Sequence, residues 1–69
     1  MRAYFVKYYG NEFALIKMEA KGKLNAGGAK AYIYSDGKWV ESPDHVSLIL
    51  NGGDYDEISA TEAAALMRR

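Results

Sequence analysis

The first forty positions carry strand-like runs of apolar and aromatic residues, broken at 21–30, and the period changes after residue 42. Residues 2–9, RAYFVKYY, and 12–20, EFALIKMEA, are rich in aromatic and β-branched side chains and read as two strands. Gly10-Asn11 stands between them, and glycine in the first central position suits a two-residue type II′ turn. That turn sets a register, with Tyr9 opposite Glu12, Tyr8 opposite Phe13, Val6 opposite Leu15 and Phe5 opposite Ile16. One face then collects Tyr4, Val6, Tyr8, Phe13 and Leu15. The other collects Ala3, Phe5, Ile16 and Met18, with Lys7, Tyr9 and Glu12 toward the turn. A slip of one residue would exchange the two faces.

Residues 21–30, KGKLNAGGAK, carry three glycines, three lysines and one large apolar residue, Leu24, and read as a loop. The next run, AYIYSDGKWVES at 31–42, centres on Asp36-Gly37, a strong hairpin signal between strand-like segments. A two-residue loop pairs Tyr34 with Trp39 and Ile33 with Val40, which puts Tyr32, Tyr34 and Trp39 on one face. A three-residue loop with a bulge would alter that pairing.

From residue 42 the spacing turns helical. Ser42 is a candidate N-cap, Pro43 suits the first helical position, and Asp44 complements the positive end of the dipole. Val46, Ile49 and Leu50 share a stripe, and Gly52 can close the helix in a left-handed cap. The rival reading makes VSLIL a strand and Asn51-Gly52 a turn; the short helix is favoured. Residues 54–58, DYDEI, read as a short extended segment. Ser59 and Glu62 then form a capping box ahead of ATEAAALMRR. Ala60, Ala63, Ala64 and Met67 make its stripe, with Leu66 at the edge. A helix this short needs docking, expected over the Phe5, Ile16 and Ile33 side.

The fold class that emerges is α+β: a small antiparallel β-meander of about four strands, as two hairpins, packed with one or two short C-terminal helices. Sixty-nine residues make a single domain, 1–69, with a marginal core. The chain has no cysteine and one histidine, which excludes disulfides, thiolate metal sites and multi-histidine sites. The absence of cysteine and of any signal-like or membrane-spanning run points to a cytoplasmic protein with no membrane partner. Net charge is zero but unevenly spread. Residues 1–40 hold seven cationic side chains against three carboxylates, a net of +4, and residues 41–69 hold two against six, a net of −4. The two halves are expected to face each other, within one molecule or across a dimer.

The segments YFVKYYGNEFALIK, YIYSDGKWVESPD and DYDEISATEAAAL together resemble short uncharacterised proteins of bacteria and their phages. Those carry an aromatic strand, a DGKWV hairpin and an EIS-x-x-EA helix start. The likeness covers most of the chain, rests on turn and cap chemistry, and implies a bacterial or phage origin and no activity.

Catalytic and metal chemistry find little support. His45 adjoins Asp44, but neighbours in a helix do not face each other, so His45 reads as a boundary residue near Leu48 and Ile49. Asp54 and Asp56 match the start of a calcium loop, which Ser59, Ala60 and Ala65 do not continue. In GKLNAGGAK, Gly28 stands where a Walker loop needs lysine. Lys21, Lys23 and Lys30 remain candidate anion ligands. No catalytic residue, metal or cofactor is assigned.

The aromatic residues carry the functional expectation. Tyr4, Tyr8, Tyr32, Tyr34 and Trp39 suit a protein interface, where tyrosine and tryptophan act as anchors. The expectation is a non-enzymatic interaction module that binds a protein partner or a second copy of itself as a homodimer. Its aliphatic face lies under the C-terminal helix and its aromatic face is partly exposed. The alternative is a single-stranded nucleic-acid or anion binder, with the rings of Tyr32, Tyr34 and Trp39 beside Lys30 and Lys38 in the basic half. The RNP signature is absent and the acidic half opposes the field, so nucleic acid ranks second.

Overall fold

The computed structural model describes residues 1–22 and 28–69. Along the chain come β1 (Arg2–Tyr9), β2 (Glu12–Glu19), β3 (Lys30–Ser35), β4 (Lys38–Glu41), α1 (Asp44–Leu50), β5 (Asp56–Ile58) and α2 (Ala60–Met67). The strands form one antiparallel sheet in the order β4-β3-β2-β1-β5. The meander of two hairpins is as expected, and the extended segment after residue 54 adds a fifth strand by pairing with β1. The two outer strands are short, four residues in β4 and three in β5. Lys23 and Leu24, in the predicted 21–30 loop, lie outside the described residues.

Both turns have the predicted chemistry. Gly10 takes φ 61°, as the first central residue of a type II′ turn does. Asp36 and Gly37 take φ 51° and 78°, the pair of left-handed residues of a type I′ turn. The registers follow, with Tyr8 opposite Phe13 and Phe5 opposite Ile16 in the first hairpin. In the second, Tyr34 lies opposite Trp39 and Ile33 opposite Val40.

The favoured helix forms over Asp44–Leu50, but Ser42 does not cap it. Pro43 is the N-cap and carries no capping side chain. The Ser42 hydroxyl instead meets Nδ1 of His45 at 2.6 Å. The Ser42 amide donates to the Ala31 carbonyl at 2.8 Å, which holds the helix start against β3. At the other end, the Gly53 amide donates to Leu48 at 2.8 Å and the Gly52 amide to Ile49 at 3.4 Å. Gly52 has φ 81°, so the helix ends in a Schellman motif. A Cβ on Gly53 would lie 2.4 Å from the Leu48 carbonyl oxygen, too close for any side chain. The Ser59–Glu62 capping box of α2 forms as expected, with the Glu62 amide donating to the Ser59 hydroxyl at 3.1 Å.

The docking side of α2 is a correction. It packs on the Val6 and Leu15 face, not over Phe5, Ile16 and Ile33. The cause lies in β5: Ile58 pairs with Tyr4, and the Ser59 cap follows at once, so the chain turns over the Tyr4 side. The buried pair is Ala63 and Leu66, while Ala60, expected in the stripe, is exposed. The Phe5 and Ile33 side is covered by α1, through Val46 and Ile49, with Tyr55 beside them. The sheet therefore has a core on each face, one of Val6, Leu15, Ala63 and Leu66, the other of Ile16, Met18 and Ala31.

Leu15 is 1% exposed and Ile16 0%, so Leu15→Ala and Ile16→Ala should each cost about 2–5 kcal/mol. A core confined to one face would make one of the two silent; urea unfolding of both variants tests this. Gly53→Ala should destabilise more than Gly22→Ala, whose added Cβ meets nothing within 4 Å.

Candidate functional site

Residues of alternating parity in β1 to β4 bring most of the aromatic set to the α2 face. Tyr4 pairs with Lys17, Lys17 with Tyr32, and Tyr34 with Trp39. The Trp39 ring lies 6.2 Å from Tyr4 and 5.2 Å from Tyr34, the latter edge-on. Tyr4, Tyr34 and Trp39 lean on the Leu15 core and are half-buried. Tyr32 is half-buried too and belongs to neither core. These rings thus serve as the rim of the core and as surface together.

Lys17 occupies the middle of the group. Its Nζ stands 4.8 Å from the Trp39 centroid and 5.0 Å from that of Tyr32. Such contacts give ~0.5–2 kcal/mol, more as water is excluded. Lys38, which the sequence reading placed among the rings, pairs with Ser35 and points to the opposite face by alternation from Trp39. Register arithmetic from the Gly10-Asn11 turn puts Lys17 opposite Tyr4, so the signal for Lys17 was present in the sequence.

Tyr8 stands apart from the other rings. It is 58% exposed at the hairpin end, 6.4 Å from Phe13. With Ile58, Glu62, Leu66 and Arg69 it lines a small depression of about 220 Å³ beside α2.

Two of the three candidate anion ligands come together. Lys21 and Lys30 line a cleft of about 420 Å³ with Arg2, Glu19, Gly28 and Tyr32. Lys23 lies outside the described residues. Arg2, missed in the sequence, reaches the Glu19 carboxylate at 2.8 Å. The hydrogen bond to Glu19 first, and Tyr4 second, push the Arg2 guanidinium further up. Lys7 and Asp54, 3.9 Å apart, make the other ion pair among the described residues. Among the described residues, the basic and acidic halves therefore share one loose ion pair.

His45 is half-buried, between Ser42 and the edge of Tyr55, whose ring centroid is 5.9 Å away. Among the described residues no carboxylate hydrogen-bonds the imidazole, and no group of three metal-ligating side chains forms. No helix among the described residues is long and apolar enough to cross a membrane. Burial first, and the nearby Tyr9 hydroxyl second, push the Tyr55 phenol up from its ordinary value.

No protein-family profile matches the chain, and neither does any curated protein or solved structure.

Lys17→Ala should lower stability by about 1–2 kcal/mol, because cation and alkyl stem both leave the rings. Lys38→Ala, exposed on the far face, should stay within about 0.5 kcal/mol by the same urea assay. Tyr55 adds a pH dependence. Its pKa is raised on folding, so its contribution is complete below the ordinary tyrosine value of 10.0 and is lost as pH rises through the folded value. Stability measured across that alkaline range should fall less steeply in Tyr55→Phe than in the wild type.

Proposed function

We propose that the chain is a small non-enzymatic interaction module that holds a protein partner through the open half of its aromatic face. The observation that carries this reading is the group Tyr4, Tyr32 and Trp39 around Lys17, left half-exposed beside α2. Aromatic side chains on a rigid sheet lose little conformational freedom on binding and supply large contact areas, which is why they recur as interface anchors. A second copy of the chain is one form such a partner can take. The resemblance to short bacterial and phage proteins and the lack of cysteine fit a cytoplasmic setting of that origin.

Single-stranded nucleic acid is the second reading, favoured by rings interleaved with cations. It is weakened by Glu19 and Glu41, which stand in the same rungs as Arg2, Lys17 and Lys30. A phosphate chain there meets two carboxylates interleaved with three cations.

Capture of binding proteins on the immobilised chain tests the reading, with light scattering alongside to read self-association. Trp39→Ala and Tyr32→Ala should each weaken the captured partner, or the dimer, by ~30-fold, as an anchor residue does. Leu48→Ala, at a 51% exposed residue of α1, should leave it unchanged. Equal behaviour of all three variants would refute the aromatic face as the contact.

A further inference from the structure

Two rungs of the sheet hold the open part of the aromatic face. One runs Tyr4–Lys17–Tyr32–Glu41 and the other Arg2–Glu19–Lys30. Their charges are unequally satisfied. Lys17 is taken up by the Tyr32 and Trp39 rings, and Glu19 by Arg2 at 2.8 Å. Lys21 and Lys30 have no carboxylate within ion-pair distance among the described residues. Both line the cleft of about 420 Å³, to whose lining Tyr32 also contributes.

We propose that this cleft receives a carboxylate side chain from an extended acidic segment of the protein partner. Flanking residues of that segment then lie across Tyr4, Tyr32 and Trp39. The assignment rests on the partner being a protein, as argued above, and adds its chemistry. Charge complementarity carries it: two uncompensated ammonium groups flank a concave site that Tyr32 also lines, and a carboxylate is the peptide group that answers them. Glu41 ends the neighbouring rung, so cations and carboxylates alternate where a nucleic-acid strand needs a continuous cationic track. An extended peptide presents alternate side chains to one side, so an acidic residue in the cleft and an apolar one on the rings can sit two positions apart.

The test is an NMR titration of the full chain with capped hexaglutamate, capped hexaglutamine, inorganic phosphate and a short dT strand. Wild type, Lys30→Glu and Lys21→Glu are run in parallel, with signal dispersion reporting that each is folded. Hexaglutamate should shift the amides of Arg2, Lys21, Lys30 and Tyr32 and leave those of α1 in place. Hexaglutamine should not shift them, and each charge reversal should weaken hexaglutamate binding at least ~10-fold. No localised shift, or equal binding by the variants, overturns the proposal. Phosphate matching hexaglutamate overturns it in favour of a simple anion site, and tighter binding of dT in favour of nucleic acid. Broadening of the same signals with protein concentration alone overturns it in favour of a second copy. If hexaglutamate fails while Trp39→Ala still abolishes partner capture, the interaction module stands and only the acidic identity of its partner falls.

Discussion

Strand β2 has a neighbour on each side and a helix over each face, so successive side chains from Phe13 to Met18 enter different surroundings. Leu15 goes to the α2 side, Ile16 to the α1 side, Lys17 to the rings and Met18 back under α1. Everything else is arranged around that alternation. Apolar residues alone specify it weakly, because Leu15 and Ile16 are near equivalents. The lysine breaks the tie. Shifted by one position, Lys17 would enter the Met18 core beneath α1, with no partner for its charge, and an unpaired buried ammonium is a heavy cost. In its observed place it keeps water on one side and two ring faces on the other. The Gly10-Asn11 turn sets the register, and Lys17 penalises any departure from it.

The same alternation explains why the candidate site is built from residues that also support the fold. Trp39 leans on the Leu15 core while its other contacts, with Tyr4 and Lys17, belong to the surface. A site of this kind is preorganised, since the groups that would meet a partner are already held by packing. It also couples binding to stability, because anything that clamps Trp39 and Tyr4 clamps the rim of one of the two cores.

Most of the fold was legible in the sequence, because local chemistry dictates most of it. Two tight turns set two hairpin registers, and a capping box and a Schellman cap bound the helices. What was not legible depended on three-dimensional closure. The side on which α2 docks follows from Ile58 pairing with Tyr4, a contact between chain segments more than fifty residues apart that no local pattern encodes. Ser42 looks like a cap by type and position, yet its hydroxyl is taken by His45, a competition that composition does not resolve. For the site, the parity of Tyr4, Tyr32, Tyr34 and Trp39 was readable from the turns. The isolation of Tyr8 was not, because it depends on β3 pairing with β2 only from Ile16 to Glu19, away from the Tyr8–Phe13 rung. Lys38 was counted among the rings by nearness in sequence, where register parity assigns that place to Lys17.

The outer strands have a consequence for how molecules of this protein meet at high concentration. The rim of the sheet is closed by three residues in β5, two of them acidic, and by four in β4, of which Lys38 and Glu41 are charged. So short and charged a border offers a stray chain few free amides and carbonyls to add onto, and templated growth from edge to edge is disfavoured. The molecule can carry a cluster of half-exposed aromatic rings without the sheet itself becoming a seed for fibres.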